Sequence, residues 1–279
     1  MIERKIKYTI EPQMVIEGAG VRLLRSIAPQ VSNLFDPFLL FDHFAFNDPN
    51  ETPLAGFPTH PHRGIETVTY MLAGQVRHRD SLGNQGVIDA GDVQWMTAGR
   101  GILHEEMPRR SEQNTIFGFQ LWVNLPAAEK MSEPRYQEVK EEQIPIVEHP
   151  GIKVRVVAGE YDGTVGPVHE IAAKPLYMDI TLAADTSFTH TLPKGHTVLL
   201  YIFEGNGMAG GDKLDSPMMI QYEDGDYIDL RSGADGMRFM LMAGAPFKEP
   251  IVPYGPFVMN TREEIRQTLD ELKNGTFIR

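Results

Sequence analysis

The sequence predicts an all-β protein made of two tandem β-barrels with a short C-terminal helix. Three observations predict this: apolar alternation at period two recurs along the chain, turn-forming clusters separate the alternating stretches, and a Gly-Asp pair introduces a similar strand on either side of a polar, proline-containing stretch.

The alternation is clearest in Ile65-Glu66-Thr67-Val68-Thr69-Tyr70, in the run from Ile116 to Val123, and in the run from Met237 to Met242. Successive side chains of a strand point to opposite faces, so each run presents an apolar face to a core. Between such runs, Leu82-Gly83-Asn84-Gln85-Gly86 and Glu223-Asp224-Gly225-Asp226 supply the residues that tight strand connections need. Many short strands joined this way build a sandwich or a barrel. The stretch from Pro126 to Pro150 breaks the alternation and reads as a linker carrying a helical turn or two. Gly91-Asp92 opens one strand before it and Gly225-Asp226 opens another after it, so two related β-domains are expected, divided as 1–130 and 131–279. At the C-terminus, Thr261 and Glu264 form a capping box, Ile265, Leu269 and Leu272 share a face, and Gly275 marks the end of a helix whose expected role is packing.

Composition narrows the function. No apolar run approaches the roughly 20 residues of a membrane-spanning helix, and Met1-Ile2-Glu3-Arg4-Lys5 opens no apolar signal region, so a cytoplasmic protein with no membrane partner is expected. A formal net charge of −12 repels phosphate backbones. Basic groups as small as Arg77 with Arg79 make no footprint for nucleic acid, and no direct nucleic-acid binding is expected. The chain has no cysteine, which excludes disulfides, thiolate metal sites and cysteine nucleophiles together. Any metal must be held by nitrogen and oxygen.

Two clusters offer such ligands. His60-Pro61-His62 and His104-Glu105-Glu106 each place two donors two residues apart, on one face of an extended strand. Three neutral imidazoles and one carboxylate suit one divalent ion of the Fe(II), Mn, Co, Ni, Cu or Zn group and suit Mg or Ca poorly. Among the carboxylates, Glu105 has the opposite parity and is expected to face away. Glu66 is the main rival of Glu106 for the fourth position, because it shares strand parity with His60 and His62. The alternative for Glu66 is to hydrogen-bond and orient a ligand imidazole. Among the aromatic residues, Trp95, Trp122, Phe117 and Phe119 are expected in the core or on a pocket wall.

The glycines around these clusters resemble the two motifs of the cupin family, loosely: three residues separate Gly56 from His60, Thr97 stands at a motif proline, and His104 falls two residues late. The runs from Phe57 to Val68 and from Gly91 to Pro108 resemble the pirin family more specifically, and the likeness continues through Gln120-Leu121-Trp122-Val123-Asn124-Leu125-Pro126, Pro134-Arg135-Tyr136-Gln137 and Val156-Val157-Ala158-Gly159. The resemblance implies a bicupin: an N-terminal metal-binding cupin domain over 1–130 and a degenerate, metal-free cupin domain over 131–279, both jelly-roll-like. It implies iron as the usual metal, held by His60, His62, His104 and Glu106. It further implies a quercetin 2,3-dioxygenase-type activity, in which a flavonol-like aromatic substrate is opened by O2 with release of carbon monoxide and Glu106 accepts the hydroxyl proton. The other implied role is non-enzymatic, an iron-dependent redox-responsive regulator that binds a protein partner.

Overall fold

The computed structural model describes residues 1–45, 55–109 and 116–278. Antiparallel strands carry nearly all of the regular structure, with Arg262–Asn274 as the α-helix among the described residues. The chain forms two compact units, each assembled from two separate stretches: Met1–Pro12 with Glu142–Pro246, and Gln13–Glu141 with Phe247–Arg279.

The first unit is a nine-stranded sheet, in which Thr197–Ala209 and Tyr227–Gly244 form the long central pair. Alternate residues of that pair (Val198, Leu200 and Ile202; Phe239, Leu241 and Ala243) point to one core with Ile180, Phe188 and Ile220. The N-terminal strand Ile6–Ile10 adds to this sheet beside Met218–Tyr222. Arg4 anchors it: the buried guanidinium donates to the carbonyls of Pro193, His196 and Glu223.

The second unit has two facing sheets. The larger runs Arg135–Val139, Val93–Thr97, Ile65–Ala73, Phe117–Asn124, Phe38–Phe44, Val21–Ile27, Gln13–Glu17, and the smaller runs Phe57–His62, Ile102–Arg109, Gln75–Asp80, Gln85–Ile88. Leu23, Phe44 and Met71 of the larger sheet pack on Val76 and Ile88 of the smaller, while Ile65 and Met96 pack on Ile102. The jelly-roll-like form is therefore a pair of open sheets around a shared interior, with no continuous hydrogen-bonded cylinder among the described residues.

The helix has its expected ends. Thr261 and Glu264 make the reciprocal capping box, and Gly275 closes the C-terminus in the left-handed conformation, φ 69°. Its apolar face, with Phe257, Met259 and Phe277, covers Leu103 on the outer side of the smaller sheet. Burying Ile265 and Phe277 contributes about 1.5–3 kcal/mol each, so the tail is held firmly behind a strand that carries chemistry.

Candidate metal centre

His60 and His62 lie on Phe57–His62, and His104 and Glu106 on the adjacent Ile102–Arg109. The register sets His104 directly opposite His60. Period two then turns all four side chains to the interior. Glu105 turns outward, where Arg77 and Arg79 approach its carboxylate at 3.8 Å.

The three imidazoles converge through their Nε2 atoms, at 3.1 Å for His60 and His62 and 2.9 Å for His60 and His104. Two donors about 2.1 Å from one ion stand about 3.0 Å apart at right angles and about 4.2 Å apart when opposed. The observed spacings match ligands that share one ion. The Glu106 Oε2 atom lies 3.9 Å from His104 Nε2, within the same range. Backbone carbonyls orient two of the rings: His60 Nδ1 is 2.9 Å from the Pro58 carbonyl and His62 Nδ1 is 3.3 Å from that of Pro256. With the Nδ1 protons donated there, the Nε2 lone pairs face one another, an arrangement a cation relieves.

Electrostatics favours the ligand form of the histidines. Burial, reinforced by His60, lowers His62 to about 3, and burial with the neighbouring histidines takes His104 well below the ordinary value. Both rings are neutral at pH 7. Burial pushes the Glu106 carboxyl up, opposed by the nearby His60 and by the Thr69 hydroxyl, which donates to Oε1 at 3.0 Å. A cation beside Glu106 would return it to the carboxylate form.

Glu66 is placed elsewhere. Gly64, at φ 76°, ends one strand direction, and the next strand starts at Ile65, so parity is not carried from His62 to Glu66. On that strand Thr69 points to Glu106, which puts Glu66 on the opposite face, where Thr97 donates to it at 2.7 Å. A strand break that spacing alone does not reveal thus turns Glu66 away from the histidines.

A cavity of about 380 Å³ opens onto His60, His62 and Glu106. Leu23, Leu40, Phe44, Phe57 and Trp122 give it apolar walls. Trp122 stands edge-on to the His62 ring at 5.2 Å, whereas Trp95 and Phe119 are fully buried in the core. This volume falls in the range of small-molecule sites, roughly 300–1,000 Å³.

Several residues that support the site were not singled out from the sequence. Arg63, next to His62, is 2% exposed and donates to the Arg100 carbonyl, to Thr268 Oγ1 at 3.0 Å and to Glu271 Oε2 at 2.6 Å. Its guanidinium also lies over the Phe277 ring, 4.4 Å from the centroid. Lys130, equally buried, donates to the carbonyls of Gly64 and Val258 and to Asn124, and its burial lowers the ammonium to about 7. The segment after Phe247 therefore clamps the turn that follows the His-x-His pair, and it also supplies the Pro256 carbonyl to His62.

Comparison with known proteins relates the chain to one family. Residues 20–123 match the family model described as Pirin and residues 177–278 match the Pirin C-terminal cupin domain. The chain is 42% identical to pirin of Homo sapiens, covering 97% of this chain and 93% of that one. It is 45% identical to a Pseudomonas aeruginosa protein provisionally named a quercetin 2,3-dioxygenase, with 93% of each chain covered. A crystal structure of quercetin 2,3-dioxygenase from Acinetobacter baumannii superposes with a TM-score of 0.90 at 34% identity, over 99% of this chain and 98% of that one.

Proposed function

Because the chain belongs to the pirin family, with both of that family's domains matched in order, we propose that it is a metal-dependent dioxygenase that opens a flavonol-like aromatic substrate with O2. The observation that carries the proposal is the convergence of His60, His62, His104 and Glu106, three of which (His60, His62 and Glu106) line a largely apolar-walled cavity. One divalent ion, Fe(II) first among the metals these ligands accept, would supply Lewis acidity toward the substrate's 3-hydroxyl and neighbouring carbonyl and a path for electron density toward O2.

The chain's own residues do the rest. The three histidines act as neutral donors, fixed by the Pro58 and Pro256 carbonyls and by the register of two paired strands. Glu106 accepts the proton of the substrate hydroxyl at its carboxylate, and Thr69 holds that carboxylate in place. Trp122, Phe57 and Leu40 give the space beside these groups apolar walls. Aromatic rings suit such walls through dispersion and offset stacking. A cytoplasmic location belongs to the same proposal; among the described residues no helix is long and apolar enough to cross a membrane.

The competing reading is a regulator that binds a protein partner and responds to the oxidation state of iron. A cavity leading to the proposed metal ligands favours chemistry on a small molecule. The test is aerobic incubation of Fe(II)- or Mn-loaded protein with quercetin, followed by flavonol absorbance and carbon monoxide release. Turnover is expected. No loss of flavonol with any loaded metal, together with partner capture that depends on iron oxidation state, would support the regulator instead.

A further inference from the structure

The inner face of the larger sheet in the second unit is mostly apolar and is crossed by a line of polar residues. Arg25 pairs in register with Asp42, Asp42 with Gln120, and Gln120 with Thr69, so one polar residue from each of four adjacent strands falls on a single transverse row. Apolar residues flank the row along its strands: Leu23 before Arg25, Leu40 and Phe44 on either side of Asp42, Trp122 after Gln120 and Met71 after Thr69. The row runs on beyond Thr69 to Gln94 and Glu138 and beyond Arg25 to Gln13. Within its middle stretch Thr69 donates to Glu106, and Arg25 donates from Nε and Nη2 to the two Asp42 oxygens, at 2.8 and 2.7 Å, and from Nη1 to Glu17 at 2.6 Å. Glu17, Arg25, Asp42, Gln120 and Glu106 all line the cavity described above.

The row carries more hydrogen-bonding capacity than the protein uses. The Thr69 hydroxyl lies 3.0 Å from Glu106 Oε1 and 3.2 Å from Gln120 Oε1, and its single hydrogen can serve only one of these acceptors. Among the described residues the Gln120 amide nitrogen has no protein hydrogen bond, and two of the five Arg25 N–H groups remain uncommitted after Asp42 and Glu17. Donors and acceptors along one line, on a floor that is mostly apolar, suit groups that both donate and accept. Phenolic hydroxyls on one edge of a planar ring system have that property.

We propose that the row Thr69, Gln120, Asp42, Arg25 is the specificity element of the site: it reads hydroxyl groups along one edge of a polyhydroxylated planar aromatic whose chelating oxygens lie toward Glu106 and the histidines. Gln120, in the middle, discriminates most. This rests on the reading of the cavity as a flavonol site. Discrimination by a site built for hydroxyls is strong, because an analogue lacking them leaves the polar groups unpaired.

The test is calorimetric binding to the full-length Ni(II)-loaded protein without oxygen, comparing quercetin with 3-hydroxyflavone, which keeps the chelating pair and lacks the other hydroxyls. Wild type is expected to bind quercetin at least about tenfold more tightly, which equals about 1.4 kcal/mol. In Gln120→Leu and Arg25→Gln that ratio is expected to fall at least about threefold, with near-ultraviolet circular dichroism reporting the fold; Gln120→Met replaces any variant that fails to fold. Equal binding of the two flavonols by wild type, or a ratio that survives both substitutions, overturns the proposal. Discrimination that is lost in the variants, with no flavonol consumed in air under any metal, would keep the row and reject the dioxygenase reading.

Discussion

Replacing Glu271 with glutamine tests how far the C-terminal helix supports the metal centre. The perturbation is nearly isosteric: it removes the negative charge that meets Arg63 Nη2 at 2.6 Å, in a pair whose side chains are 2% and 9% exposed. A hydrogen bond to a charged group contributes about 1.5–3 kcal/mol net. Deleting one partner of a buried ion pair outright costs about 3–5 kcal/mol. Glutamine keeps an acceptor, and Thr268 and the Arg100 carbonyl still hold the guanidinium, so the lower range applies. For a unit of this size a loss of about 2–3 kcal/mol corresponds to a fall in Tm of about 5–10 °C. Because the same tail supplies the Pro256 carbonyl that orients His62, metal affinity should drop as well, by about tenfold as for other groups that orient ligands from outside. Thermal denaturation of metal-free protein and Ni(II) calorimetry measure the two effects. A Tm within 1 °C of wild type and an unchanged affinity would refute the clamp.

Three further outcomes follow from particular side chains. Burial pushes Glu66 up to about 7, against 4.5 in the unfolded chain, so between those values the folded protein holds a proton the unfolded chain has lost and stability falls as pH rises. The difference is worth about 3 kcal/mol; Glu66→Gln should therefore gain on wild type by up to that amount between pH 4.5 and pH 8 in urea denaturation, and parallel pH profiles would contradict it. Glu106→Gln keeps an acceptor for Thr69 but cannot take the hydroxyl proton, so flavonol turnover should fall about 10²–10⁴-fold, read by absorbance under saturating metal. A Cβ at Gly64, where φ is 76°, would lie 2.2 Å from the Val258 carbonyl, so Gly64→Ala should cost at least about 2 kcal/mol in chemical denaturation.

The histidine strands were legible because their chemistry is local. Two residues are the period of a strand, so His60 with His62 and His104 with Glu106 declare a shared face before any fold is known. The capping box at Thr261 and the stop at Gly275 are equally local, and they gave the helix its ends. Contacts across long sequence separations were not legible. Arg63 meets Glu271 from 208 residues away, and Lys130 reaches the Val258 carbonyl across 128. The transverse polar row exists only in the register of four strands, which alternation does not set. Glu66 illustrates the same limit at short range, since a turn through Arg63 and Gly64 resets the parity that spacing implied. Trp122 and Trp95 have the same residue type and opposite fates, one on the cavity wall and one in the core, because they lie on opposite faces of one sheet.

The most direct test of a metal centre at His60, His62, His104 and Glu106 is elemental analysis of the protein purified without added metal, set beside His62→Ala and Glu106→Ala. The account predicts about one divalent ion per wild-type chain, almost none in His62→Ala and a reduced amount in Glu106→Ala, with all three proteins folded by circular dichroism. Metal content unchanged in both variants would contradict it.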